Sequence, residues 1–70
     1  MRKTYLLLKA DGGLTVRKAM PLSAMQKFVE GYIEKVGMVY CNEDGLRLNL
    51  PINKSIPFFR GNIIIEAIEA

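Results

Sequence analysis

The stretch YIEKVGMVYCNEDGLRLNL, residues 32–50, decides how this chain is read, because apolar alternation runs on both sides of a polar cluster. From Tyr32 to Cys41, Tyr32, Glu34, Val36, Met38 and Tyr40 alternate with Ile33, Lys35, Gly37, Val39 and Cys41, a period that predicts one long strand. Gly37 offers no side chain to pack and is expected to mark a bulge or bend within it. Asn42 and Asp44 favour turns, and Gly45 can take the positive φ needed to enter a second strand. Leu46, Leu48 and Leu50 then alternate with Arg47 and Asn49, which predicts a hairpin that buries one face of leucines. Glu43 and Asp44 are expected to point at water. Two neighbouring carboxylates fall well short of the roughly six to eight oxygens of a calcium site. Neighbours on a turn also diverge and have no apolar wall to raise either pKa.

Upstream, Thr4 to Lys9 is rich in strand formers, and Asp11-Gly12-Gly13 predicts a hairpin turn into a strand from Leu14 to Met20. Leu14, Val16 and Lys18 share one face of that strand while Thr15, Arg17 and Ala19 share the other, as in an outer strand. Pro21-Leu22 ends it, and Ser23 with Gln26 has capping-box spacing for a new helix. Met25, Phe28 and Val29 lie at i, i+3 and i+4 on one apolar face, and Gly31 is expected to supply the left-handed stop. Such a helix has only two turns and needs a sheet beneath it.

Downstream, Pro51 to Pro57 is irregular, and Ile63, Ile64 and Ile65 begin a final strand. Ile63 and Ile65 are expected in the core, with Ile64, Glu66 and Ile68 on a partly buried face. The order is β-β-α-β-β-loop-β over residues 1–70, a single small α+β domain with one short helix on a mostly antiparallel sheet.

The chain has 70 residues, half of them apolar, and a net charge of +3. A domain this short buries only about 60% of the surface its unfolded chain exposes, so a partner copy would add stability. One cysteine and no histidine exclude an internal disulfide and remove both the usual thiolate activator and the commonest zinc ligand. Cys41 is therefore read as a reduced, buried strand residue. Cys41, Ser23 and Ser55 have no histidine to act as base, so no enzyme, cofactor or metal is expected. Gly12-Gly13 and Gly61-Asn62 match no phosphate-loop spacing.

Basic residues are dispersed among carboxylates, with no run resembling a nucleic-acid arm. Tyr5 to Leu8 is too short for a signal-peptide core, and no segment approaches the roughly 20 apolar residues that cross a bilayer. A soluble protein of the host-cell cytoplasm, without a membrane partner, is the expectation.

The segment NKSIPFFRGN, residues 53–62, has the parts of a binding loop. Lys54, Ser55, Arg60 and Asn62 can donate hydrogen bonds, and Phe58-Phe59 can stack on a planar ligand. The competing reading puts one phenylalanine in the core and leaves the basic residues merely solvated.

Gly31-Tyr32-Ile33-Glu34, Val39 through Gly45 and Leu50-Pro51-Ile52-Asn53, in this order, closely resemble the uncharacterised family catalogued as domain of unknown function 3846. The resemblance runs from about Leu14 to Ile65 and implies an origin in phages, large algal viruses or mobile elements. It supplies no catalytic residues to carry over. The chain departs from longer members between Asn53 and Gly61, where they carry an additional acidic turn. Glu34, a carboxylate beside the helix stop, is either surface-exposed or a ligand for loop amides or a bound molecule.

These readings converge on a non-catalytic interaction module that works as a small homo-oligomer. Within it, Lys54, Phe58, Phe59, Arg60 and Asn62, with Glu34, would capture a nucleotide-like host molecule at a subunit interface, as a counter-defence protein might. Two alternatives are nucleic-acid binding through Arg17, Lys18, Lys54 and Arg60, and docking onto a larger protein as a virion or assembly component.

Overall fold

The computed structural model describes residues 2–69, with Glu69 described by its backbone alone. Its elements are β1 (Arg2–Leu8), β2 (Leu14–Arg17), α1 (Leu22–Val29), β3 (Ile33–Val36), β4 (Val39–Asn42) and β5 (Ile63–Glu69). Every strand pair is antiparallel, and the sheet order is β2-β1-β5-β4-β3. This is the expected α+β arrangement of one helix on an antiparallel sheet.

The first hairpin turns at the Asp-Gly-Gly signal. Gly12 sits at φ 102°, a conformation open to glycine, and Asp11 Oδ1 accepts the Gly13 N–H at 2.9 Å. The second strand stops at Arg17 instead of continuing to Met20, because Met20 turns inward and joins the core.

Helix α1 begins one residue before Ser23. Pro21 occupies the N-cap position and its carbonyl accepts the Ala24 and Met25 N–H groups, so Ser23 lies inside the first turn and caps nothing. At the other end Glu30, not Gly31, adopts the left-handed conformation at φ 65°. The Gly31 N–H then reaches back to the Gln26 carbonyl at 3.0 Å, closing the last turn. Gly31 is needed for a different reason, since a Cβ there would stand 2.7 Å from Asn42 Nδ2.

As expected, Met25 and Val29 form the buried stripe of α1, flanked by Phe28. They pack with Ala24 on Tyr5, Leu7 and Ile64, bordered by Ile33 and Tyr40. Register places Leu7 opposite Ile64 and Ile64 opposite Tyr40, so the helix covers the face carrying these side chains.

Residues 32–41 are not one strand. Val36 pairs with Val39 across a two-residue turn of Gly37 and Met38, with Gly37 at φ 62°. Glycine with positive φ at the first central position fits the type II′ hairpin class. The expected strand from Leu46 to Leu50 is also absent. β4 is already flanked by β3 and β5, leaving no edge to receive it. Successive turns fill the segment instead, with the Leu48 N–H on the Asp44 carbonyl at 2.8 Å and the Leu50 N–H on the Gly45 carbonyl at 2.9 Å. Leu46 and Leu48 are consequently 76% and 49% exposed rather than buried. The left-handed residue of this stretch is Asn49 at φ 53°, not Gly45.

The final strand also differs from expectation in its facing. Ile63 and Ile64 are both fully buried, Ile65 is only half-buried, and Glu66, opposite Tyr5, is 4% exposed. Ile63 and Cys41 lie on the face away from α1, buried where residues 43–62 fold back over one end of the sheet. Burial of the Cys41 thiol matches the sequence reading.

Candidate functional site

Three asparagines hold the long 43–62 segment in place. Asn42 Nδ2 donates to the Val29 and Glu30 carbonyls at 3.0 and 3.3 Å, capping the C-terminus of α1, while its Oδ1 accepts the Asp44 N–H at 2.8 Å. Asn53 is fully buried; its Nδ2 donates to the Leu8 and Gly61 carbonyls and its Oδ1 accepts the Ser55 and Ile56 N–H groups. Asn62 Oδ1 accepts the Ala10 N–H at 2.9 Å and its Nδ2 donates to the Phe28 carbonyl at 3.0 Å. An amide side chain offers both donors and an acceptor, so each of the three can satisfy backbone groups from two segments. Gly31, Asn42 and Asn53, singled out by the family resemblance, thus find their tasks in the scaffold.

The sequence-predicted binding residues do not form one site. Phe58 is 83% exposed and meets Phe59 edge to face, with ring centroids 5.1 Å apart. Arg60 lines a recess with Phe58 and Cys41, and its Nη1 donates to Asn49 Oδ1 at 3.3 Å and to the Leu50 carbonyl at 3.2 Å. Lys54 and Asn62 line a different recess beside Lys9 and Asp11. Glu34 is exposed on β3 and borders neither recess. Of the basic set weighed for nucleic acid, Arg17 and Lys18 lie at the end of β2, far in sequence and in setting from the Arg60 recess.

Cys41 donates its thiol to the Glu34 carbonyl at 3.6 Å, and burial, followed by the Glu34 charge, pushes its pKa up. A thiol held protonated is a poor nucleophile at neutral pH. On the exposed turn, Asp44 pairs with Arg47 at 3.1 Å, and the Arg47 hydrogen bond draws its carboxyl below the ordinary range. Glu43 stays exposed. Among the described residues, no group of three or more cysteine, aspartate or glutamate side chains could hold a metal ion.

Sequence reading missed the environment of Glu66. Its Oε2 accepts the Tyr40 hydroxyl at 2.7 Å, and Lys3 and Lys35 Nζ stand 3.7 and 4.0 Å from Oε1. The Tyr40 hydrogen bond, ahead of the two lysines, pulls the Glu66 carboxyl below the usual range despite burial. The same bond pushes the Tyr40 phenol up to about 12. The cluster fixes an anion between strands, and such a carboxylate is a weak proton acceptor at neutral pH.

The face away from α1 carries the feature that sequence patterning could not align. Val16 pairs with Leu6, Leu6 with Ile65, Ile65 with Val39 and Val39 with Val36. One apolar side chain from each strand therefore stands in a single row across the sheet. Val16 and Val36 are 54% and 41% exposed, and the three between them are half-buried. Arg2 and Glu34, both exposed, stand on the same face near opposite ends of the sheet. The alternation of Leu14 and Val16 hinted at an apolar face on β2, but alignment into a row depends on register across all five strands.

These features define a class: a small α+β domain whose helix covers one sheet face, whose polar loops are tied down by asparagines, and whose other face carries an apolar row beyond the end that residues 43–62 cover. The chain belongs to the family described as domain of unknown function 3846, whose model matches residues 1–68. No curated protein and no solved structure matches the chain. No helix among the described residues is long and apolar enough to cross a membrane.

Proposed function

We propose that this protein is a non-catalytic interaction module that pairs with a second copy of itself through the open face of its sheet. The observation that carries this reading is the row Val16, Leu6, Ile65, Val39 and Val36. Five strands at about 4.8 Å spacing make it roughly 19 Å long. An apolar sheet surface of that width suits another sheet, which packs at about 10 Å with interdigitated side chains.

Charge favours a copy of the same chain as the occupant. Arg2, four residues along β1 from Leu6, and Glu34, two residues along β3 from Val36, lie to opposite sides of the row, so a twofold pairing can set Glu34 of one copy beside Arg2 of the other, twice. Edge-to-edge pairing is less suitable. Both edge strands have four residues and carry charged side chains, Arg17 on β2 and Glu34 and Lys35 on β3, features that blunt an edge. A viral or mobile-element origin, implied by the family resemblance, suits a small chain that acts by binding.

Sedimentation equilibrium on the native chain, with the double variant Val16→Lys and Val36→Lys, tests the pairing. Both positions are exposed, so the variant keeps its helix content and melting cooperativity. The expected result is a dimer for the native chain and a monomer for the variant. A native chain that stays monomeric up to millimolar concentration overturns the reading and leaves docking onto a larger protein as the use of this face.

A further inference from the structure

On the opposite side of the molecule, a cleft of about 390 Å³ opens between the β1–β2 hairpin and α1. Three cations from three separate elements converge on it: Lys9 just beyond β1, Arg17 at the end of β2, and Lys27 in the last turn of α1. Among the described residues none of the three forms an ion pair; the salt bridges belong to Lys3, Lys35 and Arg47. One carboxylate, Glu30, shares the lining. The floor is apolar, with Leu7 and Met20 buried and Phe28 half-buried beneath the opening.

The floor is also tied to the β1 turn by hydrogen bonds. Asn62 borders the cleft, but its amide is already engaged by the Ala10 N–H and the Phe28 carbonyl. It therefore fixes Phe28 relative to the β1 turn, leaving recognition to the cations. Like charges gathered in a concavity repel one another, and an anion placed among them removes that repulsion while gaining charge-assisted hydrogen bonds. A volume of this size falls in the range of small-molecule sites, about 300–1,000 Å³.

We propose that this cleft binds a small phosphorylated molecule with a planar apolar body, its phosphate held by Lys9, Arg17 and Lys27 and its body laid on Phe28 and Met20. The site is separate from the sheet face that pairs two copies, so it stands or falls independently of self-association. A small ligand fits better than a nucleic-acid strand: Arg60 borders a recess that shares no residue with the cleft, and the recess of Lys54, which adjoins the cleft through Lys9 and Asn62, also holds the Asp11 carboxylate.

The probes are AMP, adenosine, inorganic phosphate and a short single-stranded DNA, titrated into the isotopically labelled chain and followed by amide chemical shifts. The expected result is saturable AMP binding, with shifts centred on Lys9, Arg17, Lys27 and Phe28. Adenosine or phosphate alone should bind at least ~10-fold more weakly, since each keeps only one kind of contact. The double variant Arg17→Gln and Lys27→Gln alters two exposed side chains and should lose AMP binding while its melting curve is unchanged. No AMP response at millimolar concentration overturns the proposal. DNA binding that spreads to Lys18 and Lys54 and that AMP does not compete overturns it in favour of a nucleic-acid surface.

Discussion

The Tyr40 hydroxyl donates to Glu66 Oε2 at 2.7 Å, diagonally across the β4–β5 pair, and the bond moves the two acids in opposite directions. Glu66 is depressed, so its contribution to stability is present above the ordinary glutamate pKa of about 4.3 and is lost as pH falls through the lower folded value. Tyr40 is raised to about 12, so its contribution is complete below pH ~10 and is lost as pH rises through that folded value. Urea midpoints should be flat near neutrality and fall at both extremes. Phenolate absorbance should resolve one tyrosine that titrates late, and that late component should vanish in Tyr40→Phe. All three tyrosines titrating together near the ordinary value would contradict the assignment.

Asn53 joins four backbone groups through one buried amide. Asn53→Ala should destabilise the chain by about 2–4 kcal/mol, since several buried backbone groups lose partners at once. Asn53→Asp should be no better, because the carboxylate cannot donate to the Leu8 and Gly61 carbonyls. Urea denaturation checks both, and a loss below about 1 kcal/mol for either would show that water substitutes for the amide.

Gly31→Ala places a methyl 2.7 Å from Asn42 Nδ2, which cannot move without leaving the Val29 and Glu30 carbonyls. A loss of about 1–3 kcal/mol is expected from the forced displacement. The cost should shrink in an Asn42→Ala background, because the clashing atom is gone. Additivity of the two substitutions in a double-mutant cycle would mean that the residues do not share this contact.

Gly37 at φ 62° has open space around its missing Cβ, so backbone conformation alone limits substitution. Asparagine tolerates positive φ at hairpin-turn positions more readily than a β-branched residue does. Gly37→Asn should therefore melt within a few degrees of the native chain, and Gly37→Val should melt clearly lower. Equal melting temperatures for the two would remove the turn geometry as the constraint.

Local chemistry made much of this fold legible. Asp11-Gly12-Gly13 is a turn signal in itself, Met25, Phe28 and Val29 carry the helical period, and the isoleucine run from Ile63 marks a strand wherever it lands. Misreadings arose where the deciding partner is distant. Residues 32–41 alternate throughout, and Gly37 is compatible both with a bulge inside one strand and with the first position of a two-residue turn, so the local pattern does not decide between them. Leu46, Leu48 and Leu50 alternate like a strand, but β5 already occupies the β4 edge they would need. Glu66 looked half-exposed because Lys3, Lys35 and Tyr40 come from β1, β3 and β4. The candidate site was less legible still. Lys54, Phe58, Arg60 and Asn62 are close in sequence but are divided between recesses, whereas Lys9, Arg17 and Lys27 are dispersed in sequence and share one cleft.

The sheet order sets β1 and β5 side by side at its centre, with Arg2 opposite Glu69. During synthesis this means that the ribosome releases two separate hairpins, β1–β2 and β3–β4, before the strand that unites them has been made. Neither hairpin buries enough to persist alone, and closing the central pair spans nearly the whole chain, a slow kind of contact to form. Folding should therefore wait for β5. Until that strand emerges, the nascent chain exposes Leu6, Val16, Val36 and Val39, which await Ile65 to complete the apolar row, and a second nascent chain nearby is the hazard it must survive.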